Sequence, residues 1–109
     1  MPDPSIRELV YGHEQAFLPE KAVGINTVIQ YRLTGPEAGD YIITIQDAKC
    51  KVTEGIAPNA KMTLSADAND FRNIILGRMD PTMAFMQGKL KLLGDFTLAM
   101  KLTSLFKMK

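Results

Sequence analysis

Five short segments of the chain alternate between apolar and polar residues, and this alternation constrains the fold more than any other feature. The segments are "INTVIQYRL" (25–33), "DYIITIQ" (40–46), "AKCKVTE" (48–54), "KMTLSA" (61–66) and "KLKLL" (89–93). Because successive side chains of a strand point to opposite faces, this pattern predicts strands with one apolar face and one solvated face. Such one-sided strands are typical of antiparallel sheets.

Helix starts are predicted where an aspartate precedes an apolar stretch, since its carboxylate accepts a hydrogen bond from the first helical turn. The expected N-cap residues are Asp3, Asp67, Asp80 and Asp95. Two of them, Asp3 and Asp80, are followed by proline, which costs no hydrogen bond in the first turn. Gly77 and Gly88 predict helix ends, because glycine readily adopts the left-handed conformation found there.

Together these segments predict a two-layer α+β domain. Short turns join the first three strands, so we expect them to form a meander, with helices covering the apolar face of the sheet. The sheet is expected to be mostly antiparallel and to keep one solvated face. No linker interrupts the 109 residues, so residues 1–109 are predicted to be one domain.

The last two predicted helices carry more apolar surface than one face can bury. In the final helix, expected over residues 95–107, Thr97, Lys101 and Ser104 form only a narrow polar strip. In "PTMAFMQG" the two methionines and the phenylalanine cannot all face one direction. From the residues alone, this surface is either ordinary core, the lining of a ligand cavity, or a surface for a partner.

Composition argues against several classes of function. A net charge of +1 does not support a nucleic-acid surface. The longest apolar runs are far shorter than the ~20 residues that span a bilayer. No glycine-rich phosphate loop is present, and capping explains the Asp67 and Asp70 pair better than a metal site does, so we expect neither a cofactor nor a metal.

Catalytic groups are scarce as well. His13, the only histidine, falls in line with Ile6, Val10 and Phe17, which predicts a packed histidine rather than a proton-transfer group. Cys50 alternates with two lysines in a strand and is expected to act as a small buried hydrophobe. The chain is therefore not expected to be an enzyme.

The region from residue 66 to 102 combines two motifs at a specific spacing. "QGKLK" followed by Gly94 precedes "LAMKL", and Asp80 and Pro81 start the helix before them. In this combination the region strongly resembles the C-terminal half of the sterol carrier protein-2 domain, the non-specific lipid-transfer family. A weaker resemblance extends over about residues 23–106.

This resemblance implies a five-stranded mixed sheet with an apolar tunnel between the sheet and the helices. Family members bind sterols, phospholipids, fatty acids or fatty acyl-CoA there, and carry or present them without catalysis. Matched positions and helical spacing imply the ligand contacts Phe71, Ile74, Ile75, Phe85, Met86, Gln87, Leu98, Met100, Leu102 and Leu105. Among these, Gln87 is expected to be the polar contact near the opening.

A lipid or fatty acyl ligand is thus the expected partner, with transient membrane contact through the first helix and no nucleic acid. The alternative is an interaction module whose apolar helix surface joins a second copy, as a homodimer, or an enzyme subunit. The single Cys50 and the ending "LFKMK", which lacks the small-Lys-Leu peroxisomal signal, predict a cytoplasmic location.

Overall fold

The order of the strands and of the last three helices follows the sequence prediction, whereas the predicted first helix is divided at Gly12, so that Phe17 lies beyond its end. The structure is a computed structural model that describes residues 3–107, so the first two residues of the predicted 1–109 domain and the last two of "LFKMK" lie outside the described residues. The strands are Thr27–Thr34 (β1), Gly39–Gln46 (β2), Lys49–Glu54 (β3), Met62–Asp67 (β4) and Leu90–Gly94 (β5). The helices are Ile6–Tyr11 (α1), His13–Ala16 (α2), Ala68–Ile75 (α3), Pro81–Met86 (α4) and Phe96–Leu105 (α5), with a short 3₁₀ helix at Pro19–Lys21.

The strands form one five-stranded mixed sheet in the order β3-β2-β1-β4-β5. β1, β2 and β3 pair antiparallel, as predicted for a meander, and β4 pairs antiparallel with β5. The two parts are joined by the parallel pairing of β1 with β4, in which Ile29 lies opposite Met62 and Tyr31 opposite Leu64. The predicted α+β fold with a mixed sheet is confirmed.

The helices pack on one face of this sheet. α2 lies against β3, α3 against β1 and α1, and α5 against β4 and β5. The most deeply buried apolar side chains of this interface come from both layers: Ile6, Val10, Ile29, Ile43, Ile45, Met62, Phe71 and Leu105.

Aspartate capping is confirmed at three of the four predicted helix starts. The carboxylates of Asp67, Asp80 and Asp95 accept hydrogen bonds from backbone N–H groups in the first turns of α3, α4 and α5. Gly77 and Gly88, which follow α3 and α4, have φ angles of 79° and 76°, as expected for residues that end helices.

The prediction that Asp3 caps the first helix is wrong. Ser5 caps α1 instead, because its hydroxyl accepts from the Glu8 N–H while the Glu8 carboxylate accepts from the Ser5 N–H. This reciprocal pair leaves the Asp3 carboxylate free of the helix, and it forms an ion pair with Arg78.

The connection between β3 and β4, residues 55–61, crosses the sheet face opposite the helices. Gln30 lies on that face, and its side chain is held by this connection: Nε2 donates to the Gly55 carbonyl at 2.9 Å, and Oε1 accepts from the Ala57 N–H at 2.7 Å. Its exposed fraction is only 2%. The alternation of the sequence predicts Gln30 on the solvated face of the sheet. Gln30 does lie on that face, but residues 55–61 cover it there and exclude it from solvent.

Gln30→Ala is expected to lower the free energy of unfolding by about 2–4 kcal/mol, because it removes the bonds that fix the connection and leaves partly buried backbone groups unpaired. Urea unfolding measures this loss. Gln46→Ala, at an exposed position of β2, is the control and is expected to change stability by less than about 0.5 kcal/mol. Equal losses in the two variants would show that Gln30 does not pin the connection.

Candidate functional site

A cavity of about 790 Å³ lies between the sheet and the helices on the side of β4 and β5. Strand side chains at its base are Tyr31, Leu64, Leu90 and Leu92. Helical and connecting residues form its walls: Phe71, Ile74, Ile75, residues 77–82, Phe85, Phe96, Ala99, Met100, Leu102 and Phe106. This lining is mainly apolar, and the volume suits a small-molecule ligand.

The turn between α3 and α4 supplies the polar part of the wall. The left-handed Gly77 ends α3, and the backbone N–H groups of Arg78 and Met79 both donate to the Asn73 carbonyl, at 2.8 and 3.1 Å. Asp80 then begins α4. These backbone bonds fix Arg78 and its neighbours at the edge of the cavity.

Three large apolar side chains line the cavity and are exposed as well. The exposed fractions are 46% for Phe85, 55% for Phe96 and 81% for Met100. The cavity therefore opens to solvent between α4 and α5, and we call these three residues the rim. The tunnel implied by the family resemblance stays a prediction.

Six of the predicted contact residues line this cavity: Phe71, Ile74, Ile75, Phe85, Met100 and Leu102. Met86 and Gln87 lie outside its lining and are exposed, while Leu98 and Leu105 are buried in the core. On α5 the spacing explains the difference, because Phe96, Ala99 and Met100 (i, i+3, i+4) share the stripe that lines the cavity. Leu98 and Leu105, seven positions apart, lie on another stripe that packs in the core. As ligand contacts, all ten residues stay predictions.

Several lining residues were missed by sequence reasoning. Leu64 and Leu92 were assigned to apolar strand faces, but only the register of β4 and β5, which sets them opposite each other, brings them to the cavity. Phe96 belongs to the apolar surface predicted for the last helix but was not among the predicted contacts, and Arg78 carried no signal in the sequence.

A hydrogen-bonded pair, His13 and Tyr31, lies below the cavity. His13 Nδ1 is 3.0 Å from the Leu9 carbonyl, which only accepts, so Nδ1 carries the hydrogen and donates. Nε2 therefore accepts from the Tyr31 hydroxyl, also at 3.0 Å. Burial lowers the pKa of His13 and raises that of Tyr31, so both groups are neutral around pH 7. The prediction that His13 is a packed residue is confirmed.

Other reactive groups are not assembled into a site. Burial raises the pKa of the Cys50 thiol to about 12, so the thiolate is not populated at neutral pH. Within residues 3–107, no group of histidine, cysteine and carboxylate side chains is arranged to hold a metal ion. None of the helices in this range is long and apolar enough to cross a membrane.

Sequence comparison matches residues 10–107 to the SCP-2 sterol transfer family. The chain is 35% identical, over 98 residues, to hydroxysteroid dehydrogenase-like protein 2 of Xenopus laevis, a match that covers 89% of this chain. The same match spans only 24% of that relative, and the match to the Xenopus tropicalis protein spans 18%. The similarity therefore concerns a part of each longer protein.

Solved structures show the same fold. The sterol carrier protein domain 2 of Helicoverpa armigera has a TM-score of 0.72 at 28% identity, covering 92% of this chain and 80% of that one. The palmitated SCP2L2 protein of Aedes aegypti has a TM-score of 0.70 at 26% identity, covering 91% and 88%.

We expect the free energy of unfolding to fall as the pH drops below about 6.5 towards the folded-state pKa of His13, by up to ~1.4 kcal/mol per pH unit. The buried His13 has a lowered pKa, so in this window the unfolded chain binds a proton that the folded chain does not. Stability from this group is complete above pH 6.5 and is lost as the pH falls towards the folded-state pKa. Urea unfolding across the pH range measures the slope.

His13→Gln removes the titrating group and keeps a side-chain oxygen for the Tyr31 hydroxyl. Its stability is expected to be nearly constant in the same window, because the shifted carboxylates Asp3 and Glu37 have lowered pKa values and act at lower pH. Parallel slopes in the two proteins would contradict the assignment.

Proposed function

Since the chain belongs to the SCP-2 sterol transfer family, we propose that it binds the apolar part of a lipid in its cavity and carries or presents that lipid without changing it chemically. The observation that carries this proposal is the apolar cavity, which opens between exposed apolar side chains. The palmitated state of the Aedes aegypti relative supports a fatty acid among the ligands.

Burial of apolar surface supplies the affinity. An acyl chain that hides ~300 Å² from water gains about 7 kcal/mol, which offsets the entropy lost on binding without requiring directional bonds. Shape then sets the selectivity, and adaptable methionines such as Met79 and Met100 in the lining favour a broad range of chains. We propose that the acyl chain of the ligand packs against Phe71, Ile74 and Leu102, with its polar end at the edge of the cavity.

Uptake is proposed to involve movement of α5 about its C-terminal end. That end is anchored, because Phe106 pairs with Phe17, the Leu18 N–H donates to the Leu105 carbonyl at 2.8 Å, and the Lys107 N–H donates to the Ala16 carbonyl at 2.7 Å. The other end carries the exposed Phe96. The start of α5 follows β5 directly, and the Asp95 N–H donates to the Lys61 carbonyl at 3.0 Å. A small rotation about the C-terminal end therefore widens the opening by breaking this bond.

Transient membrane contact and the cytoplasmic location remain parts of this proposal. The rim supports membrane contact better than α1 does, because the apolar residues Ile6 and Val10 of α1 are buried in the core. The unpaired Cys50 is compatible with a reducing compartment.

A second candidate function is a protein interaction module. Apolar side chains on α4 and α5, among them Met83 and Met86 beside the rim, are exposed and offer a surface to a second copy or to an enzyme. The longer relatives named dehydrogenase-like, of which this chain matches a part, support presentation of a ligand to an enzyme.

Ala99→Trp is expected to weaken palmitate binding about tenfold or more, because the ring enters the cavity from α5. Native mass spectrometry of protein purified without delipidation reports bound lipid, and titration with palmitate gives the affinity. The parent protein is expected to carry about one lipid per chain, and the variant none.

Thr97→Trp is the matched control, since Thr97 lies on the same helix, is exposed and does not line the cavity. It is expected to bind palmitate like the parent. If the Ala99 variant also binds like the parent, the ligand does not occupy this cavity. If the parent refuses all lipids and runs as a dimer, the interaction module is the correct function.

A further inference from the structure

We propose that Arg78 binds the polar end of the ligand, and that the ligand is therefore an anionic amphiphile, with a carboxylate or phosphate group at one end of an apolar chain. This inference rests on the proposed function, because it requires the chain to occupy the cavity. It assigns the polar contact to a residue that lines the cavity, whereas the predicted polar contact, Gln87, lies outside the lining.

Few polar side chains line the cavity: Tyr31, Arg78, Asp80 and Thr82. The Tyr31 hydroxyl donates to His13 at the base, and the Asp80 carboxylate accepts from the Thr82 N–H at the start of α4. Among the described lining residues, Arg78 is the only cation. An amphiphile whose chain fills the apolar interior therefore meets one positive group at the edge.

The Asp3 carboxylate shows how this guanidinium holds an anion. Asp3 Oδ2 accepts from Arg78 Nη1 at 2.9 Å, and Oδ1 accepts from Nη2 at 2.8 Å. Two parallel bonds of this kind are the arrangement by which arginine recognises carboxylates and phosphates. Asp3 does not itself line the cavity, so the ligand's charged group would meet this guanidinium from the cavity side and take over the two bonds that Asp3 accepts here.

The pair is suited to exchange. Its side chains are 53% and 42% exposed, and ion pairs in such surroundings contribute little to stability. The Arg78 backbone stays fixed by its bond to the Asn73 carbonyl while the guanidinium changes partner. Asp80 also lines the cavity near Arg78 and could repel an anion. The ligand's anion replaces the carboxylate of Asp3, however, so the number of negative groups around Arg78 does not increase.

The test compares palmitate with the uncharged alcohol of the same chain length, each displacing the neutral dye Nile red. The parent protein is expected to prefer palmitate about tenfold. Arg78→Gln is expected to remove that preference by weakening palmitate about tenfold, with the affinity for the alcohol changed less than about twofold. Asp3→Asn removes the competing carboxylate and is expected to strengthen palmitate several-fold, and not the alcohol.

Arg32→Gln is the matched control, because Arg32 forms an equally exposed ion pair with Asp40 and does not line the cavity. It is expected to leave both affinities unchanged, and thermal unfolding checks that every variant is folded. Arg78→Lys keeps the charge without the paired donors and is expected to retain part of the preference.

Two further probes identify the source of the anion. Hexadecyl phosphate is expected to bind like palmitate, whereas millimolar inorganic phosphate is expected not to displace it. Displacement of palmitate by inorganic phosphate alone would overturn the assignment to a lipid head group, as would equal effects of Arg78→Gln on palmitate and alcohol. If the parent protein binds neither lipid, the proposed function itself fails; if it binds both equally, only the role of Arg78 fails.

Discussion

The parallel pairing of β1 with β4 is the constraint on which the rest of this structure depends. It joins the antiparallel pair β4–β5 to the β1–β3 meander. The sheet is therefore wider than the area that helices α1, α2 and α3 cover. The same pairing sets Tyr31 beside Leu64, and thereby assembles the base of the cavity from two distant parts of the chain. A parallel pair requires a crossover, and Gln30 fixes that crossover by bonding to Gly55 and Ala57 on the opposite face.

The two sides of the sheet consequently have different packing. Over β1 and β2 the side chains of Ile29, Ile43 and Ile45 are fully buried. Even the polar side chain of His13 is buried there, with both ring nitrogens hydrogen-bonded. Over β4 and β5 the apolar groups Phe85 and Phe96 remain exposed beside an open cavity. The free energy of folding is a small difference between large terms. The apolar burial over β1 and β2 therefore has to stabilise the whole domain, and this allows apolar side chains over β4 and β5 to remain exposed.

How far the sequence predicts this arrangement depends on the range of the interactions involved. Local signals succeed: alternation locates the strands, and Asp67, Asp80 and Asp95 mark the helices they cap. Long-range contacts do not leave a local signal, so the burial of Gln30 under residues 55–61 went unseen. Resemblance to a family indicates which helices face the cavity, but a single step along α5 separates Leu98 in the core from Ala99 at the cavity.

The failure at Asp3 has a physical reason that bears on the site. Asp3 followed by proline has the pattern of a helix cap, yet Ser5 and Glu8 satisfy the first turn of α1 between them. The Asp3 carboxylate therefore remains available to pair with Arg78, which lies 75 positions along the chain at the edge of the cavity. In the proposed site, the apolar interior binds the acyl chain and Arg78 binds the charged end, so the two parts of the ligand are recognised at separate places. A ligand that satisfies both must release Asp3, so occupancy of the cavity is coupled to the segment that leads into α1.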